Sequence, residues 1–278
     1  MERLATGKRI NSAADDAAGF AIAERMTSQI RGLSMAAKNA NDTIGLLKVM
    51  ESASNDITDM LQRIRELAVQ AASGTNSASD IKNLQGEADA LMTEITRVSS
   101  DTSYNGKKRM GADAGTIYIQ VGYNHGDQIA LKTYSNSSAS LNLETAALLT
   151  ANKATATAAS AAAGGDAAAQ TAAAAAVTSS KLDISSATAL TTISAAIDKV
   201  SGYRAEWGAG QNRLEYTVSN LVNVVEFTSA ARSRIQDADF AAEAAKLAKA
   251  QVLQQMAAAM LAQANAAPQL ALQLIKQL

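Results

Sequence analysis

The sequence predicts a mainly α-helical protein, an elongated rod of long antiparallel helices packed as a coiled-coil-like bundle. One β-hairpin, a short variable insert and an apolar C-terminal helix complete it. Three observations predict this. An apolar seam stepping alternately three and four residues runs from Leu33 to Ala71, and a second runs from Leu190 to Ile235. A lone proline, Pro268, leaves nearly all of the 278-residue chain free to be helical. At 1.5 Å per residue, residues 33 to 71 span about 58 Å, against a radius of gyration of about 19 Å for a compact globule of this length. A helix that long needs partner helices along its length.

The elements follow in order. Residues 1 to 11 carry Arg3, Gly7, Lys8 and Arg9 and read as an irregular lead-in. Ser12 with Asp15 three positions later matches a capping box, and Asp15 and Asp16 suit the positive end of a helix dipole, so the first helix is expected to start there. Its seam is Leu33, Ala36, Ala40, Thr43, Leu47, Met50, Ser54, Ile57, Leu61, Ile64, Ala68 and Ala71, with only Thr43 and Ser54 not apolar. Ser73-Gly74-Thr75-Asn76-Ser77 breaks it. A second helix over about 79 to 99 carries Ile81, Leu84, Ala88, Leu91, Ile95 and Val98, and the short connector makes it an antiparallel neighbour.

Residues 101 to 115 lack periodicity and read as loop. From Thr116 the period becomes two: Ile117, Ile119 and Val121, then a turn over Gly122 to Asp127, then Ile129 and Leu131, which is a β-hairpin. Residues 135 to about 180 are of low complexity, Ser and Asn first and then Ala and Thr around Gly164-Gly165, and read as a peripheral excursion. The third long helix opens near Ile184 and runs to about Ile235. Arg234 to Asp239 is a joint. Phe240 to Ala266 is a last helix, whose Phe240, Leu247, Val252, Leu253, Met256, Met260 and Leu261 are too apolar to stay exposed, so they are expected to pack against other molecules. The expected divisions are 1–134, 135–183, 184–235 and 236–278.

Composition narrows the function. Hydrophobic residues make up 47% but aromatics only 4%, because much of the apolar content is alanine, which suits narrow helix seams rather than a broad core. A net charge of −1 without long single-sign runs offers no footprint for nucleic acid or an anionic membrane. No cysteine is present, which removes disulfides and thiolate metal sites. No apolar signal-peptide core opens the chain, and no 18-residue charge-free apolar run reads as a membrane helix.

No residue pattern implies an enzyme, a cofactor or a metal. His125, the one histidine, lies in the hairpin turn without a partner for a triad or a metal cage. Asp15 with Asp16 reads as helix capping, and Asp237 with Asp239 as a charged joint. Gly164-Gly165 lacks the Lys-Ser or Lys-Thr of a phosphate loop. Asn41-Asp42-Thr43 and Asn136-Ser137-Ser138 match the N-glycosylation acceptor pattern, although Ser and Thr between 133 and 192 are better carriers of O-linked sugar. A competing reading is a surface-displayed binding protein that contacts glycan through residues 135 to 185. The scarcity of aromatics there counts against it.

Three motifs carry a resemblance. Gly7-Lys8-Arg9-Ile10-Asn11-Ser12 through Asp15-Asp16-Ala17-Ala18-Gly19, Leu61-Gln62-Arg63-Ile64-Arg65-Glu66-Leu67-Ala68-Val69-Gln70, and Ala230-Ala231-Arg232-Ser233-Arg234-Ile235-Gln236-Asp237-Ala238-Asp239-Phe240 resemble bacterial flagellin. So do Gln254-Gln255 and Met260 to Asn265, and the match covers about 2–134 and 184–278. The resemblance implies a homopolymeric extracellular filament for motility and export through the flagellar type III channel without a cleaved signal peptide. It also implies a cytoplasmic chaperone near the C-terminus and a cap protein at the growing tip. Flagellins usually begin roughly thirty residues earlier, with a helix that pairs with the C-terminal one, so the resemblance also predicts an unpaired C-terminal helix here. It places Arg63, Leu67 and Glu87 on the contact patch for a Toll-like innate immune receptor.

Overall fold

The computed structural model describes residues 1–144 and 181–276, with the helical backbone alone from 265 onward. Its elements are α1 (Glu2–Thr6), α2 (Ala17–Ala71), α3 (Ala78–Asp101), β1 (Thr116–Gln120), β2 (Gln128–Lys132), α4 (Ala189–Gln236) and α5 (Phe240–Lys276). Among the described residues the chain therefore forms long helices packing together with one antiparallel hairpin. The chain divides into two compact units, Met35–Asn220 and Met1–Ser34 with Leu221–Leu278.

The 35–220 unit holds the large core. Every residue of the 33–71 seam is buried, Thr43 and Ser54 included. Thr43 is tolerated because its hydroxyl donates to Asn39 O one turn back, at 2.8 Å. Ser54 has a partner from another segment: the Asn136 side-chain amide donates to its Oγ at 3.1 Å. Helix α4 runs antiparallel to α2, with Gln211 bonded to Glu51 at 3.2 Å while Ile197 lies beside Gln62 to Gln70. It buries Ile193, Val200, Trp207 and Leu214 on its own seam.

Helix α3 starts with a full capping box at Ser77 and Asp80, and Asp80 accepts from Ser77 Oγ at 2.6 Å. That hydrogen bond, with the one from the Ser77 N–H, holds the Asp80 carboxyl below its usual range. The buried arc of α3 is rotated one position from the expected stripe: Met92 and Ser99 are buried with Ala88 and Ile95, while Leu91 and Val98 are only partly covered. Ser99 can face inward because its hydroxyl donates to Met110 O.

The hairpin pairs Ile117 with Leu131 and Ile119 with Ile129. Ile119, Ile129 and Leu131 face the core, leaving Tyr118 outside, as a period of two demands. The Trp207 indole N–H donates to Lys132 O at 3.1 Å and fastens the hairpin to α4. Beside it, Tyr134 and Tyr203 stack with ring centroids 4.1 Å apart.

Three expectations need correction. Residues 135–144 are no excursion, because Asn136, Ser138, Leu141 and Leu143 are buried and the chain returns with Leu182 and Ile184 also buried. The two passes are tied by Leu182 N–H to Leu143 O at 2.9 Å and by an isolated antiparallel β-bridge between the backbones of Glu144 and Lys181. Gln85 closes them from α3, donating to Leu182 O and accepting from Ile184 N–H, both at 2.9 Å. The rest of the low-complexity stretch, 145–180, lies outside the described residues. Burial also removes Asn136 as a glycan acceptor in the folded chain.

The other two corrections fall in the unit formed by Met1–Ser34 and Leu221–Leu278. Residues 2–6 are helical rather than irregular, and α1 ends at Gly7 with φ of 68°, a left-handed C-cap. Helix α2 starts at Ala17, not at Ser12. Its cap is Asp16, whose Oδ1 accepts from Gly19 N–H at 2.9 Å, and a Cβ at Gly19 would run into that carboxylate. Asp15 instead closes a turn before the helix, accepting from the Asn11 and Ser12 N–H groups at 3.0 and 3.1 Å, which lowers its pKa. The lead-in clasps the joint between α4 and α5. Arg9 donates from its guanidinium to Ile235 O at 2.7 Å, and the backbones of Lys8 and Asp237 form an isolated antiparallel β-bridge. Asp239 caps α5 through the Ala241 and Ala242 N–H groups, and α5 continues through Pro268 to Lys276.

Candidate functional site

Two surfaces carry the residues singled out from the sequence. The first is on α5. Taking 100° per residue, Val252, Leu253, Met256 and Met260 fall within an arc of about 100°, one apolar stripe. They are 53%, 55%, 60% and 71% exposed. Leu261 and Phe240 lie on the opposite side and are exposed too. Leu247 is half-buried, on the side where Glu243 meets Arg3 of α1 at 3.9 Å. Among the described residues of this unit the first turns of α5 have a neighbour in α1, while the stripe is exposed.

Exposed side chains of that size contrast with the covered seams. Leaving a stripe of four large apolar groups in water forgoes roughly 1.5 kcal/mol each. Sequence reasoning missed Tyr216 and Phe227, which α4 leaves 80% and 72% exposed. The signal was present, because both are aromatics that fall off the Leu190–Ile235 seam.

The second surface joins α2 to α3. Arg63 donates from Nε to Glu87 Oε1 at 2.9 Å and from Nη1 to Glu66 Oε2 at 3.0 Å. These bonds, that to Glu66 first, raise the Arg63 pKa further above its usual value. The guanidinium is thus positioned but still solvent-exposed. Leu67 differs: it is 1% exposed and belongs to the core beneath the pair. Its place between Leu61–Ile64 and Ala68–Ala71 on the inner face corrects the expectation that it joins Arg63 and Glu87 in a surface contact.

No acid–base constellation converges on either surface. Among the described residues no group of three His, Cys, Asp or Glu side chains could hold a metal, and no helix is long and apolar enough to cross a membrane. His125 is exposed in the hairpin turn.

Comparison with known proteins decides the family. The bacterial flagellin N-terminal helical region matches residues 1–111, and the bacterial flagellin C-terminal helical region matches 190–275. The chain belongs to the bacterial flagellin family. It is 40% identical to flagellin of Bacillus subtilis strain 168 and 42% identical to flagellin of Xenorhabdus nematophila, covering 99% of this chain and 91% of each relative. The crystal structure of Bacillus cereus flagellin aligns over 66% of this chain and 88% of that one, with 28% identity and a TM-score of 0.48. As a flagellin, the protein is a structural subunit of the extracellular bacterial flagellar filament, where it assembles with other flagellin subunits.

Proposed function

We propose that this flagellin polymerises by burying the α5 stripe of Val252, Leu253, Met256 and Met260, with Phe240, Leu247 and Leu261 on the other side of the helix, against other copies of the chain. The exposure of that stripe is the observation that carries the reading. Magnitude sets its limit. Four side chains at roughly 1.5 kcal/mol give about 6 kcal/mol gross, while association costs on the order of 4–15 kcal/mol. Further apolar surface has to join it, and Phe227 on α4, in the same unit, supplies part of it.

Before assembly the same stripe needs cover, which supports a cytoplasmic chaperone bound near the C-terminus. Export then runs through the flagellar type III channel without a cleaved signal peptide, and a cap protein receives subunits at the tip. The exposed Arg63–Glu87 pair is the surface part of a Toll-like receptor contact, with Leu67 supporting it from inside.

The test of assembly is Val252→Asp with Leu253→Asp. The variant keeps the wild-type circular dichroism, since both side chains are exposed, and forms no filaments by electron microscopy or pelleting. Normal filaments from it refute the reading. For the receptor, Arg63→Ala with Glu87→Ala is expected to lower signalling by free monomers, and unchanged signalling removes the patch.

A further inference from the structure

The chain has nine methionines, and the fold sorts them. Met50, Met92 and Met110 are at most 1% exposed in the core. Met256 and Met260 sit at i and i+4 on α5, 60% and 71% exposed, on the same stripe as Val252 and Leu253. Two unbranched thioethers one turn apart fill an apolar contact well, but they are also the side chains of that stripe open to two-electron oxidation.

We propose that Met256 and Met260 form an oxidative modification site that stops this flagellin from assembling. The oxidant is a small oxygen donor such as hydrogen peroxide. A sulfur lone pair attacks one peroxide oxygen, the S–O bond forms as the O–O bond breaks, and the departing hydroxide takes the proton to leave water. Sulfur loses two electrons, peroxide gains them, and the product is methionine sulfoxide. The change turns a flexible apolar group into a polar one that needs a hydrogen bond wherever it is buried. The inference rests on the reading that the stripe is buried between copies.

It follows that oxidation acts on free subunits and spares assembled ones. Two sulfoxides buried in an apolar contact raise the critical concentration for polymerisation by at least about tenfold. Methionine sulfoxide reductases reverse the modification. Met35, 55% exposed on α2, and Met1, 81% exposed, are internal references for solvent-accessible sulfur.

The experiment treats the free chain with hydrogen peroxide, maps sulfoxides by peptide mass spectrometry and measures polymerisation by pelleting, for wild type and for Met256→Leu with Met260→Leu. Met256 and Met260 are expected to oxidise at rates close to that of Met35 and at least tenfold faster than Met50, Met92 and Met110. Oxidised wild type stops polymerising and reductase restores it, while the leucine variant polymerises after peroxide to the same extent as its own untreated sample. Assembled filaments show at least tenfold slower oxidation at 256 and 260, with Met35 as reference. Arrest of the oxidised leucine variant as well, or normal polymerisation of wild type carrying both sulfoxides, overturns the proposal. In the second case the Val252→Asp, Leu253→Asp variant separates the two failures. If it does not polymerise, burial of the stripe stands and only the oxidative site falls; if it polymerises, both fall.

Discussion

Replacing Ser54 by Ala removes the one side-chain partner of a buried amide. The Asn136 side chain is 0% exposed, its Nδ2 donates to Ser54 Oγ at 3.1 Å, and its Oδ1 accepts no hydrogen bond among the described residues. Ser54→Ala therefore leaves the whole amide unsatisfied, and an unpaired buried polar group costs about 1–3 kcal/mol. Asn136→Leu, of similar size, costs less, because the stranded Ser54 hydroxyl can turn to a carbonyl of its own helix. With both changed, the pair becomes apolar contact between groups of comparable shape, and replacement of both partners is close to neutral. The double variant is thus expected to be more stable than Ser54→Ala alone, with a coupling of about 1–3 kcal/mol. Urea unfolding followed by Trp207 fluorescence measures it, since this lone tryptophan lies in the same core at 1% exposure. Strictly additive effects, or a Ser54→Ala variant as stable as wild type, refute the reasoning.

Further predictions follow from single features. Gly86 and Gly202 are helical, and a Cβ at either meets nothing within 4 Å, so Gly86→Ala and Gly202→Ala each stabilise by about 0.5–1 kcal/mol in thermal or urea unfolding. Ser77→Ala removes the α3 cap and costs about 1 kcal/mol in the same assay. Because the Asp80 pKa is lowered in the fold, the stability from that capping box is present above the ordinary carboxylate value and fades as pH falls through the folded one. A comparison of wild type and Ser77→Ala across acid pH shows the gap narrowing. The Tyr134 hydroxyl donates to Glu206 at 2.6 Å, which raises its pKa to about 12. A raised phenol pKa stabilises the fold fully below its unfolded value of about 10 and loses that contribution as pH rises through about 12. In an ultraviolet alkaline titration, Tyr134→Phe deletes a tyrosine that ionises at about pH 12.

Much of this protein was legible in its residues because coiled-coil seams are local. Steps of three and four put Leu33 to Ala71 on one face whatever the partner, and all of that face is buried. The hairpin was as plain, since Ile119, Ile129 and Leu131 obey a period of two. The apolar content of α5 was visible too, but as residues spread around the helix axis; that Val252, Leu253, Met256 and Met260 stay exposed is read from the fold.

What tertiary structure alone decided lies where a residue's role is set by a partner far along the chain. Ser12 and Asp15 satisfy a capping pattern, but the contacts of the lead-in with Gln236 and Asp237 hold residues 8–12 in a turn, and the cap passes to Asp16. Asn136 and Leu143 sit in a Ser- and Asn-rich stretch of loop-like composition, but Ser54 supplies a buried partner for Asn136 and Leu182 N–H closes the backbone at Leu143. Leu67 lies one turn after Arg63, only about 40° round the helix, yet packing buries Leu67 while Arg63 reaches Glu87 of α3 at the surface. Periodicity fixes which face of a helix is apolar, and only packing determines which of the remaining side chains find a partner inside.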